Sequence, residues 1–215
     1  NDEWVAIAKR SRVMYYNPLT VSADEIENLA YEDLADPKWM GRIAIRSSGN
    51  MYNQSLVASL ISNNGVSKTE KWAHRFVGNF ARKPEGNDRA QIMAVANGEA
   101  DIAIANSYYI GLMLSGKKGD EQRAAARKVN LHFPSQAGRG AHINVSGAGL
   151  MKNSPNKANA VKFIEFLLSD KAQEHIVNNT YEYPLSANVA PSDLIAQFGT
   201  GFKEDQTSVA DYGKF

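Results

Sequence analysis

Hydrophobic and polar positions follow two rhythms along this chain, and each change of rhythm marks an element. Residues 101–105 (DIAIA) are a short, small, mostly apolar run with a polar start, as in a buried strand of a parallel sheet. Asn97-Gly98 ends a helical pattern over residues 91–96, and Asn106-Ser107 is placed to cap another helix. This spacing sets Tyr108 and Tyr109 just past the carboxyl end of a strand, where open α/β sheets bind ligands. Residues 42–46 (RIAIR) alternate and predict a strand. The turn Ser47-Ser48-Gly49-Asn50 follows, then a helical stretch over 54–61 with Leu56, Val57, Leu60 and Ile61 on one face. Residues 13–16 and 129–133 read as strands stopped at Asn17-Pro18 and Pro134, and 141–145 as a further strand. Residues 67–80 read as a helix, with Ser67 and Glu70 at capping-box spacing and Trp72 and Phe76 on its apolar face. Shorter helices are predicted over 89–96, 108–114 and 121–128. The broadest apolar helical face follows Ser154-Pro155 and carries Val161, Phe163, Ile164, Phe166, Leu167 and Leu168. Ser169-Asp170 caps the next helix, through Val177. Residues 31–40 read as loop anchored by Trp39, 181–185 as extended chain, and 192–198 as a last helical segment in a polar tail. Strands alternating with helices predict an α/β fold.

Composition narrows the choices. A chain of 215 residues suffices for one large domain or two small lobes. Its 24 basic and 23 acidic residues give a net charge of +1, so no whole-surface attraction to nucleic acid is expected. There is no cysteine, which excludes disulfides, thiol catalysis and thiolate metal sites, and is compatible with an oxidising compartment. No apolar run reaches about 18 residues, so no membrane span is expected. The chain opens on Asn-Asp-Glu-Trp, without methionine or signal peptide, and reads as a processed or trimmed product.

Candidate chemistry is sparse. His74, His132, His142 and His175 show no metal-ligand spacing; His132 and His142 flank the glycine-rich loop at 136–140 without a third partner. No G-x-S-x-G, H-E-x-x-H or G-x-G-x-x-G occurs, and Glu165 and Glu174 lie nine apart across a helix break, so no acid/base enzyme is indicated. The adjacent tyrosines offer two phenol oxygens to one ligand, or one buried and one surface ring. The strand, glycine turn and helix at 42–61 can aim backbone N–H groups at an anion. Lys9, Arg10 and Arg12 form a solvated basic face, or one arginine among them enters a cleft to hold an anion.

Several ordered motifs carry a resemblance. N-G-E-A-x-x-A followed by N-x-Y-Y (97–109), R-x-R-V (10–13), P-K-W-x-G-R-I (37–43), S-G-N-M-Y-N-Q-S-L-V (48–57) and E-Y-P-L (182–185) resemble the periplasmic ferric-iron-binding proteins of bacterial ABC importers. The resemblance implies a class II periplasmic-binding-protein architecture of two α/β lobes, joined by crossing strands, with iron in the cleft. Residues 1–11 and 133–185 would be the remnant of the N-terminal lobe, and 12–132 and 186–215 the C-terminal lobe. Tyr108 and Tyr109 would be paired tyrosinate ligands of Fe(3+) and Tyr52 a third. Arg10 or Arg12, with Arg10 preferred, would hold a carbonate-like anion together with Ser48, Gly49 and Asn50. The implied partners are ferric ion and the inner-membrane permease, the implied place the periplasm, and the implied state a monomer. The first-lobe histidine or tyrosine ligand of some members has no counterpart, because the chain resembles a protein lacking its N-terminal third. Helix faces such as 163–168 are then expected to be uncovered. The alternative reading is a receptor for a small oxyanion or organic anion without metal.

Overall fold

The computed structural model describes residues 4–215. The chain enters on a 13-residue strand, β1 (Trp4–Tyr16), much longer than the four residues its apolar pattern marks. The extra length has a physical source in two different partners. Residues 4–11 pair antiparallel with a late strand, 143–149, from Trp4 opposite Gly149 to Ser11 opposite Ile143. Residues 12–16 pair antiparallel with 102–106 on one edge and 130–132 on the other. β1 therefore changes sheets between Ser11 and Arg12.

The second sheet is mixed rather than parallel. β2 (Ile43–Ala44) lies parallel to β3 (Ile102–Asn106), β3 is antiparallel to β1, and β4 (Asn130–His132) lies on the far edge of β1. The expected strand 42–46 pairs only at Ile43 and Ala44. β5 (Ile143–Gly149) begins two residues later than the expected strand at 141–145 and ends four residues later.

Side-chain alternation explains why β3 is wholly buried. Ile102 and Ile104 join Met14, Ile43, Trp39, Leu56 and Trp72 on one face, while Ala103 and Ala105 join Val13, Tyr15, Ile110 and Met113 on the other. The helices covering these faces include α1 (Ala23–Ile26), α2 (Met51–Asn64), α3 (Val66–Gly78), α4 (Asp88–Ala96), α5 (Tyr108–Leu114) and α6 (Asp120–Ala126). Two caps differ from expectation. α3 starts from Gly65, in the positive-φ region at 81°, so the Ser67–Glu70 capping box does not form. The Ser107 hydroxyl caps no helix and instead accepts from the Ser11 amide, 3.2 Å away. Residues 31–40 form two short 3-10 turns around Trp39, which is fully buried.

α7 (Lys157–Leu168) and α8 (Asp170–Thr180) pack together beside the first sheet. α7 buries none of its residues, and Phe163 and Phe166 are 60% and 51% exposed. The polar tail carries α9 (Asp193–Ala196) and α10 (Val209–Tyr212), the latter unexpected from the sequence. Polar bonds tie the segment just before α10 to α2: Ser59 Oγ to Asp205 at 3.0 Å, and Asn63 Nδ2 to Thr207 at 2.9 Å.

Candidate metal centre

The Tyr108–Tyr109 pair occupies the first turn of α5, one residue past β3. Its backbone is held from several sides. The Asn106 amide donates to Asp88 at 2.8 Å, the Ser107 amide to the Ser11 carbonyl at 2.9 Å, and the Tyr15 hydroxyl to the carbonyls of Asn106 and Ser107 at 3.0 and 3.1 Å. The two rings stack, centroids 4.1 Å apart and 30° from parallel. Tyr52 arrives from a different element, the first turn of α2, where Asn50 Oδ1 accepts its amide at 3.0 Å as a cap. The Tyr108 hydroxyl is pushed up in pKa by burial first and then by the neighbouring Tyr109 and Tyr52 phenols. Tyr109 is also raised, by burial first, with the Asp88 charge and Tyr52 adding to it and Tyr108 and Arg46 opposing it. Three phenol groups, one from α2 and two from α5, are thus close enough to influence one another.

Three guanidinium groups surround the Tyr52 ring, with Arg10, Arg46 and Arg12 at 5.5, 5.6 and 6.0 Å from its centroid. Their roles differ. Arg12 has no exposed surface; Nη1 donates to Asp88 at 2.7 Å and Asn106 at 3.2 Å, and Nη2 to Asn53 at 2.6 Å and the Ile104 carbonyl at 3.3 Å. With both terminal nitrogens so committed, Arg12 is a strut between β1, α2, α4 and β3. Asp88 also takes Arg46 Nη1 at 3.2 Å, so one buried carboxylate serves two arginines. As the first residue of α4, it also sits where the helix favours negative charge. Arg10 donates through Nη1 to Ser146 Oγ and, at 2.7 Å, to Glu182. The Nε groups of Arg10, Arg12 and Arg46 are all buried without a partner.

The turn over 48–50 is less free than expected. The Gly49 amide donates to Ser47 Oγ and the Asn50 amide to the Ser47 carbonyl, while Asn50 Oδ1 is spent on Tyr52. Ser48 and Gly49 are exposed, but the Gly49 and Asn50 amides expected to cradle an anion are turned inward upon the turn itself. Arg46, Asn53, Asp88 and Glu182 complete the surroundings and were missed in sequence. Arg46 ends the RIAIR run and carried a signal in that place; Asp88 reads locally as a helix cap, and nothing local shows its two arginines.

The histidines have other duties. His132 Nε2 lies 3.2 Å from the Leu29 carbonyl. His142 Nε2 meets Ser55 Oγ at 2.7 Å, and burial pushes its pKa down to about 4. Among the described residues no group of three or more His, Cys, Asp or Glu is arranged for a metal, so the phenols are the concentrated donor set.

Known proteins place this geometry in context. A family model described as bacterial extracellular solute-binding protein matches residues 1–197. The chain is 51% identical over 210 residues to an iron uptake protein A1 of Synechocystis, covering 98% of itself and 57% of that relative. It is 33% identical over 187 residues to a major ferric iron-binding protein of Neisseria meningitidis, covering 87% of itself and 54% of the relative. Among solved structures, a Trichodesmium protein in complex with iron and citrate superposes with a TM-score of 0.93 at 51% identity over 98% of this chain and 66% of the other. A ferric binding protein of Campylobacter jejuni gives 0.91 at 39% identity over 99% and 66%. The chain thus spans a little over half the length of these curated relatives. The match along nearly its whole length makes it a member of the bacterial extracellular solute-binding protein family.

Proposed function

We propose that this chain carries the ferric-iron site of a periplasmic binding protein that delivers Fe(3+) to an ABC importer, with Tyr52, Tyr108 and Tyr109 as phenolate ligands. The observation that carries the reading is the grouping of three tyrosines from α2 and α5, with Tyr108 and Tyr109 stacked and Tyr52 near enough to raise the pKa of both. Ferric ion is a hard acid, and three phenolates match its charge. The guanidinium belt around Tyr52 sets positive charge beside the site and offers Arg10 to a carbonate-like anion. Ferric binding in the named relatives supports the metal, and citrate beside iron in the Trichodesmium structure supports an accompanying carboxylate or carbonate. The role is transport rather than catalysis, with the inner-membrane permease as partner and the binding protein a monomer.

We further assign residues 1–11 and 133–185 to one lobe and 12–132 and 186–215 to the other. The exchange of sheet partners between Ser11 and Arg12 supports that division. The uncovered face of α7 supports further first-lobe structure in a longer protein. A metal-free oxyanion receptor remains the second reading, favoured by the unpartnered Nε groups of Arg10 and Arg46.

Iron titration separates them. A ferric site of this kind develops a visible phenolate-to-iron charge-transfer band, and Tyr108→Phe with Tyr109→Phe abolishes it. A wild-type chain that stays colourless, yet binds carbonate or phosphate in chelated buffer, establishes the second reading instead. Ligation must expel protons from the phenols, and burial raises Tyr108 and Tyr109 above the ordinary phenol value. Affinity therefore rises with pH through the neutral range, by up to about one decade per pH unit for each phenolate formed.

A further inference from the structure

A second hollow lies next to the tyrosine cluster. A cleft of about 450 Å³ opens between α2, α3 and the end of β2. Its floor is apolar: Ile45, Leu56, Val57, Trp72, Phe76 and Phe80. Trp72 and Phe76 stack with centroids 4.7 Å apart, and Phe80 meets Phe76 edge-on at 5.0 Å, so the aromatic wall is preformed. A hollow of this size, mostly apolar with a few placed polar groups, is the usual form of a small-molecule site.

The polar groups are cationic and share one end. An isolated parallel bridge pairs Ile43 with Phe80, and each segment then runs on in the same direction. Arg46 and Lys83, three residues beyond the bridge on either side, both line the cleft. Lys83 is exposed and makes no ion pair among the described residues. Arg46 shares its only carboxylate, Asp88, with Arg12, and its Nε–H is buried without an acceptor. Two cations and less than one carboxylate leave that end positively charged.

We propose that this cleft binds a small amphiphilic carboxylate, its aromatic or branched apolar body on Trp72, Phe76 and Phe80 and its carboxylate at the Arg46–Lys83 end. The wall supplies burial of apolar surface; the cations supply charge-assisted hydrogen bonds and discriminate against uncharged molecules of the same shape. The site uses no tyrosine hydroxyl, and it shares only its Arg46 and Asn53 edge with the surroundings of the tyrosines.

The test uses the full 215-residue chain in metal-free buffer, with 2-naphthoate as the probe and 2-naphthalenemethanol as its uncharged counterpart. Quenching of Trp72 emission and calorimetry should both report saturable one-to-one binding of naphthoate, at least tenfold tighter than the alcohol. Lys83→Gln should weaken naphthoate three- to tenfold and leave the alcohol unchanged. Val57→Trp should fill the hollow and remove binding of both, with circular dichroism verifying its fold. Tyr108→Phe with Tyr109→Phe should bind naphthoate as the wild type does while losing the iron band, so the two sites can fail separately. The proposal is overturned by an absence of saturable naphthoate binding, by equal affinity for the alcohol, or by a folded Val57→Trp chain that binds as before.

Discussion

The two halves of β1 lie in different physical surroundings. Residues 12–16 enter a sheet buried on both faces: every residue of β3 beside them is buried, and a charged cluster of Arg12 and Asp88 lies sealed within. Residues 4–11 pair with β5 in a sheet that meets α8, and the outer helix on α8, α7, buries nothing. In sequence α7 carries the broader apolar face of the two regions. The difference teaches that an apolar stripe states a demand for a partner, and only the rest of the fold supplies one.

The comparison can be broken most forcefully at Asp88. Asp88→Ala leaves two buried arginines without their carboxylate and should cost about 3–5 kcal/mol in urea unfolding, with an unchanged slope. A loss below about 1 kcal/mol would mean that the sealed cluster does not hold the second sheet.

His142 tests the seam between the regions, since its carbonyl accepts the Arg12 amide at 2.9 Å where β1 changes sheets. Burial lowers its folded pKa to about 4, below an unfolded value of about 6.5. The unfolded chain therefore binds the extra proton first. The neutral form's contribution is complete above about pH 6.5 and is lost as pH falls toward 4, by about 3 kcal/mol in all. Unfolding midpoints between pH 7.5 and 4.5 should show that slope, and His142→Gln should flatten it.

Gly111 makes a smaller intrusion into the well-packed side. A Cβ there would stand 2.7 Å from Tyr181 Cβ, and Tyr181 is itself in the left-handed region at φ 63°. Gly111→Ala should cost about 1–3 kcal/mol, and thermal melts that match the wild type would show unsuspected slack.

The smallest effect belongs to α7. Phe163→Ser with Phe166→Ser should change the stability of this chain by no more than about 0.5 kcal/mol per site while reducing self-association in light scattering. The same pair in a longer relative that covers this face should cost several times more. A large loss in the present chain would show that α7 already has a partner.

Local pattern determined much of this protein. The helices at 88–96, 108–114 and 170–180, the buried run ending at Asn106 and the anchoring of Trp39 were all legible, because capping residues and apolar periodicity act over a few neighbouring positions. The ordered motifs around Tyr52, Tyr108 and Tyr109 also marked the tyrosines as candidates. What only the tertiary structure decided is set by partners far along the chain. It extended β1 to thirteen residues through β5, made the second sheet mixed, turned Arg12 inward to Asp88, closed the Gly49 and Asn50 amides into their own turn, and laid Arg46 beside Tyr52. A residue's propensity is a property of its neighbours in sequence; a guanidinium's partner is the carboxylate that folding brings within 3 Å, and here that carboxylate lies 76 residues away from Arg12.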